Sequence, residues 1–248
     1  MKRTTIQRAG FTLGAAISAI SLSVIPAGAL AQAKATTTSG STAAGDQAKV
    51  KLIINRGNSE IARRLTTLNA LSAKVSGATK LSSADQALLS SEISAEVDGL
   101  NALKTKLDAD TTVSDAKADA QSIIDGYRVY ALVVPKVNLV KTADDQQVTE
   151  SKLSDLAVKL QTRIDTAKTA GKNVTALQTE LTSLNSKVSA AQAISSNIES
   201  AVVNLQPSDY NTNHSVLSGD RDQLKTAQSD IQGAVSTATT IITNLKNL

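Results

Sequence analysis

Apolar residues return at steps of three and four along most of this chain, which is the period of an amphipathic helix. Ile54, Ile61, Leu68 and Val75 recur every seven residues, with Leu65 and Leu71 beside them. Ser82-Ser83-Ala84-Asp85 has the form of a capping box, and Leu89, Ile93, Val97, Leu100, Leu103 and Leu107 continue it as a stripe. A third segment begins near Val113 and carries Ile123, Ile124 and Tyr127. In the second half, Leu153, Leu156, Leu160, Ile164 and Ala167 form a stripe that Gly171 ends. Asn173 reads as the N-cap of the next helix. There Val174, Leu177, Leu181, Leu184, Val188, Ala191, Ile198, Val202 and Leu205 follow a heptad a/d pattern, with one step of seven, as far as Pro207. Leu217, Leu224, Ala227, Ile231, Ala234, Ala238, Ile241, Leu245 and Leu248 repeat it to the end.

A helix over Asn173–Leu205 is about 50 Å long at 1.5 Å per residue. One-faced stripes of that length must pack on one another, and short breaks marked by Gly or Pro favour antiparallel neighbours. The predicted fold is all-α: an elongated antiparallel helical bundle with coiled-coil-like heptad packing over residues 49–248, with a sub-boundary near 135–150.

One stretch departs from this period. Tyr127–Val140 is apolar nearly all round, β-branched, and interrupted by Pro135. An all-round apolar helix is a buried one, so the segment is expected to pass through the bundle centre, with Pro135 kinking or restarting the helix. The competing reading makes Tyr127, Tyr130, Val133, Val134 and Val137 a docking surface for a partner, or a segment that acts on a membrane.

The first 33 residues have a different character. Lys2, Arg3 and Arg8 precede an apolar run, Phe11–Ile25, then Pro26 and Ala31-Gln32-Ala33. That order is a secretory signal peptide cut before Lys34; the apolar run falls short of the ~20 residues of a membrane span. Arg8-Ala9-Gly10-Phe11-Thr12-Leu13 resembles a prepilin cleavage site, but Ala15 stands where that site needs Glu. Lys34–Ala48, rich in Thr, Ser, Gly and Ala, reads as a flexible linker. The expected location is extracytoplasmic, in the periplasm, at the cell surface or secreted, with no stable membrane span after cleavage.

Charge and composition then narrow the chemistry. The net charge is +4, from 26 basic and 22 acidic residues, and the signal segment supplies three of those charges. The remainder is nearly neutral and carries few aromatic residues, which excludes a nucleic-acid-binding face. With no Cys and one His, thiolate, zinc and His-dependent triad chemistry lack their residues. Ser114–Lys117 matches Ser-x-x-Lys without the motifs that accompany it in penicillin-recognising enzymes. Asp108, Asp110, Asp115 and Asp119 miss the EF-hand pattern, with Val113 where Gly is required, and read as helix N-terminal acids. Arg56, Arg63 and Arg64 read as a solvated face, or as a site for an anionic envelope polymer. His214 sits in a polar loop. No catalytic residue, cofactor or metal is expected, and the chain is read as a non-enzyme.

Three segments carry a resemblance: Asn58–Leu68, Tyr127–Pro135 and Ala170–Leu177. Through them the chain resembles a loose, uncharacterised family of secreted, helix-rich, coiled-coil-like proteins of reduced-genome bacteria. The resemblance implies export and a helical bundle, and it supplies no activity. The expected function is a structural, spacing or binding role at the cell envelope, with an envelope component, another protein or a second copy as partner. The alternative is a diffusible secreted effector or toxin-like bundle acting through residues 127–140.

Overall fold

The structure is a computed structural model that describes residues 38–248, with side chains from Ala43 onward. The signal segment and the start of the linker lie outside the described residues. The chain divides into a unit of Met1–Ser39 and one of Gly40–Leu248, and the second holds the architecture. Its helices are α1 (Thr38–Ser76), α2 (Ser83–Asp108), α3 (Val113–Asp125), α4 (Val134–Thr169), α5 (Thr175–Val202), α6 (Pro207–Thr212) and α7 (Asp220–Lys246), with a π-helical turn at Val129–Val133 before α4. There is no strand among the described residues, so the all-α class holds.

Several helix starts follow from the sequence. Ser82 caps α2, its hydroxyl accepting from the amide of Asp85 at 3.0 Å, and Thr112 caps α3 in the same way through Asp115. For α5 the N-cap is Val174, one residue after the Asn173 expected, although the Asn173 side chain accepts from the amide of Thr175 at 3.1 Å. Gly171 takes the left-handed conformation, φ 79°, that ends α4. Two further boundaries differ from expectation. Helix α1 reaches back to Thr38, so 38–48 of the segment read as a linker is helical, although Ala43–Lys49 are all exposed. Once the packed part of the helix from Val50 onward has nucleated, each residue added in front of it gains a backbone hydrogen bond with no new nucleation step, and so the helix runs back about three turns to Thr38. Helix α5 ends at Val202, before Pro207, which instead opens α6.

Side-chain pairs give the directions of the helices. Asn58 meets Asp108, and Gln86 meets the carbonyl of Val75, so α1 and α2 form an antiparallel hairpin. Along α2 in reverse order come Lys106 with Asp119, Glu92 with Lys136 and the Ser82 amide with Asp144. Thus α3, the π turn and the front of α4 together act as one strand of helix antiparallel to α2. The pairs Gln161–Gln178 and Glu150–Ser195 set α5 antiparallel to α4. Asn244–Glu180 sets α7 antiparallel to α5, and Gln146 to the carbonyl of Leu224 sets α7 parallel to α4.

Two apolar cores result. The first joins α1, α2, α3, the π turn and α4 as far as Ala143, and takes in Ile198, Val202 and Leu224 from the far ends of α5 and α7. The second lies among α4 from Leu153 onward, α5 and α7. Helix α4, 36 residues and about 54 Å long, is the element common to both. Most residues of the predicted stripes are buried in these cores, others such as Ile54, Leu65, Val97, Leu156 and Leu217 pack against them half-buried, and Ile124 and Leu248 are exposed, at 42% and 41%.

Gly57 shows how close the helices come. A Cβ placed there would lie 2.5 Å from Leu107 Cδ2 and 3.3 Å from Ile123 Cδ1, both side chains fixed in the first core. Replacing Gly57 with Leu should overpack this contact and cost about 1–3 kcal/mol. Urea unfolding reads it as a lower midpoint at constant slope; an unchanged midpoint would mean that α1 can move away from α2.

Candidate functional site

The chain between α3 and α4 cannot continue as a regular helix. Pro135 has no amide proton, and its ring needs room against the preceding turn. The ladder widens just before it: the amides of Leu132 and Val133 both reach the carbonyl of Arg128, at 2.7 and 3.3 Å, and Val134 reaches Val129. Pro135 then sits in the first turn of α4. The expectation that it restarts the helix is met. Arg128 is the one non-glycine among the described residues with positive φ, 41°, a conformation costing about 1–2 kcal/mol. Its side chain offsets that cost. The guanidinium donates to Asp125 at 2.7 Å and to Asn211 at 2.5 Å, and lies 5.6 Å from the ring centroid of Tyr210.

The five residues read as a partner surface do not share one face. Val133 and Val137 are closed from solvent, at 0% and 1% exposure, because they face the first core. They cannot belong to a surface. Tyr130 is 47% exposed, with the Arg64 guanidinium 5.2 Å from its ring centroid. Tyr127 and Val134 are half-buried. Tyr127 lies so close to α2 that a Cβ on Gly99 would come within 2.7 Å of its ring.

The same segment carries a residue that the periodicity did not flag. Lys136 is fully buried. Its ammonium donates to both carboxylate oxygens of Glu92, at 2.5 and 2.6 Å, and to the carbonyl of Leu205 at 2.6 Å, so all three of its donors are used. One turn along α2, Glu96 is buried with Oε2 unpartnered. Burial, and then the neighbouring Glu92, push its carboxyl up to about 7, with Lys136 opposing. Burial and the charge of Glu96 likewise raise the Tyr127 phenol. Glu92, Glu96 and Tyr127 line a cleft of about 410 Å³ that Asn204 and Gln206 close. The arrangement can hold and exchange a proton near neutral pH.

A second polar group lies farther along α4. Asp85, Asp144 and Glu199 bring carboxylate oxygens within 4.8 Å of one another, the spacing of a cation site. Burial pushes Asp144 up to about 6; the Ser82 amide, 2.6 Å away, lowers it, while Asp85 and Glu199 raise it. Glu199 accepts from Gln147, Asp85 from the Ser82 hydroxyl and Asp144 from the Ser82 amide, so each carboxylate has a donor of its own. Beyond them, Glu150 accepts from Ser195 at 3.0 Å, and burial raises its carboxyl.

These groups had a signal in the sequence. Followed backward in the same three–four steps, the stripe through Ile164, Leu160, Ala157 and Leu153 lands on Glu150, Gln146, Ala143, Leu139 and Lys136. The α2 stripe likewise contains Asp85 and Glu96, the α1 stripe Arg64, and Ser195 fills the step of seven in α5. Each is buried. Arg64 therefore leaves the solvated face assigned to it; it is 5% exposed and paired with Glu60, whereas Arg56 and Arg63 are exposed. Asp119, grouped with the capping acids, is instead buried and paired with Lys106 at 2.7 Å. His214 is exposed and lies against Tyr210, with ring centroids 5.1 Å apart and planes tilted by 43°.

No family model, curated protein or solved structure matches the chain. The resemblance to secreted helix-rich bacterial proteins therefore rests on its sequence segments alone.

Lys136→Met should leave Glu92 uncompensated and cost about 3–5 kcal/mol, and adding Glu92→Leu should recover much of that loss. A double variant no more stable than Lys136→Met would show that the ammonium matters for something other than its partner.

The raised carboxyls give a signed pH dependence. Glu96 binds its proton more tightly in the native state, so its contribution is intact below pH 4.5 and is lost as the pH rises towards 7, by on the order of 3 kcal/mol. Asp144 acts the same way between 3.8 and about 6. Denaturation midpoints should fall between pH 4.5 and 7, and Glu96→Gln should flatten the upper part of that fall. An unchanged slope in the variant would remove Glu96 as its source.

Proposed function

We propose that this chain is an exported, non-enzymatic helical-bundle protein with a structural, spacing or binding role at the cell envelope. The observation that carries the reading is the pairing of an export-signal pattern in residues 1–33 with a bundle built on one helix, α4, that runs through two successive cores. A helix packed on partners along its whole length keeps two ends at a fixed distance, which is what a spacer needs. Among the described residues, no helix is long and apolar enough to cross a membrane.

The non-enzymatic part rests on composition, one His and no Cys, and on the surroundings of the proton-exchanging carboxyls. Of these, Asp144 and Glu150 are buried among packed side chains, and the cleft that Glu96 lines holds no His or Cys beside the carboxyls. The alternative, a diffusible effector acting through residues 127–140, loses support from the burial of Val133 and Val137.

Fractionation of the producing cells, with intact mass of the chain in each fraction, tests the reading. The expected species begins at Lys34 and stays with the envelope. The same species free in the medium would overturn the envelope role, and an uncleaved chain in the membrane would overturn the export signal.

A further inference from the structure

A cavity of about 730 Å³ lies between the front of α4 and the start of α7, within the 300–1,000 Å³ usual for small-molecule sites. Its apolar wall is Val134, Pro135 and Leu139 on one side and Leu217 and Leu224 on the other. It exists because the two helices, parallel here, face each other with polar positions. Asn138 and Thr142 stand on α4, with Arg221, Lys225 and Gln228 on α7, so no apolar layer fills the gap as it does farther along. The inner end is Gln146. Its amide nitrogen is committed to the carbonyl of Leu224 at 2.8 Å, and its oxygen has no partner.

We propose that this groove binds a free medium-chain fatty carboxylate, with the alkyl chain along the Pro135–Leu139 wall and the carboxylate at Arg221 and Lys225. Three features of the lining select that chemistry. Both charged residues are basic, and no acid is among the lining residues. The apolar residues are Val, Pro and Leu without an aromatic ring, which suits a flexible alkyl chain and offers nothing to stack on a planar ligand. The cations are available. Arg221 makes no ion pair among the described residues, and Lys225 makes only an exposed one, with Asp222 at 2.7 Å, a kind of pair that holds a side chain weakly. A carboxylate beside an apolar wall, partly screened from water, competes well with that surface contact. The proposal is independent of where the chain resides, because it stands on the groove alone.

Calorimetric titration of the full chain with decanoate tests it. The expected result is saturable one-to-one binding, weakened at least tenfold in the double variant Arg221→Glu, Lys225→Glu, and abolished by Gln228→Trp, which fills the groove from its exposed rim. Decanol, with the same chain and no charge, should bind at least tenfold more weakly. The charge-reversed variant should fold, since acids near a helix N-terminus are favourable, and its far-ultraviolet circular dichroism checks that. Absence of binding at millimolar decanoate, equal binding of decanol, or decanoate affinity unmoved in the folded double variant would each overturn the proposal.

Discussion

A lysine ammonium cannot be sealed inside a protein unless acceptors meet each of its three protons. Lys136 obtains them from Glu92 on α2 and from the carbonyl of Leu205, just past the end of α5. Those demands reach into three parts of the chain at once. They fix the register of α4 against α2, and they draw the segment after α5 back over the first core, where Val202 and Val203 are buried. The early end of α5 has its physical reason here. A helix continuing to Pro207 would leave the Leu205 carbonyl among its last acceptors, without an intrahelical partner, and aim it along the helix axis rather than at the ammonium.

The other buried polar side chains extend that logic along α4. Between Ala143, where the first core stops, and Leu153, where the second begins, the inward positions are Gln146 and Glu150, with Asp144 beside them. Each has a particular partner: Leu224, Ser195 and the Ser82 amide. Apolar heptad stripes tolerate a slip of seven residues, because leucine then meets another leucine. Polar groups at the same positions do not, since a Glu150 slipped by seven residues along α5 would face Val188 or Val202 and leave its carboxylate unpaired. The layer adds little to stability and a great deal to the uniqueness of the register, as polar core positions do in coiled coils.

Sequence periodicity was enough to read the helices, their order and most of their buried faces, because burial in a bundle of amphipathic helices is decided one helix at a time. The polar positions within the stripes were not read. Glu96, Gln146, Glu150 and Ser195 look like interruptions when only apolar residues are counted, yet they keep the three–four step and are buried. Their partners lie between 44 and 78 residues away in the pairs Lys136–Glu92, Ser195–Glu150 and Gln146–Leu224, and no local pattern connects such pairs. The segment at 127–140 was legible as buried and as broken at Pro135. Its division into inward valines, a half-exposed tyrosine and a sealed lysine was not, because the π turn shifts the phase between the residues before it and those of α4.

That shift also explains why the first turns of α4 carry both the ionic cluster and the groove. A regular helix through Pro135 would present one apolar face to one core. The widened turn instead sets Val133 and Val137 into the core, Lys136 towards α2, and Pro135, Asn138 and Thr142 towards α7. Helix α7 cannot close on that outward face, because Gln146 holds the Leu224 carbonyl and the α7 positions opposite are Arg221, Lys225 and Gln228, whose charged and amide ends lose hydration if buried without partners. The first apolar layer that α4 and α7 share in the second core comes only beyond Glu150, where Leu153 and Ala227 are both buried. The gap between the two helices is thus a consequence of the same polar positions that fix their register.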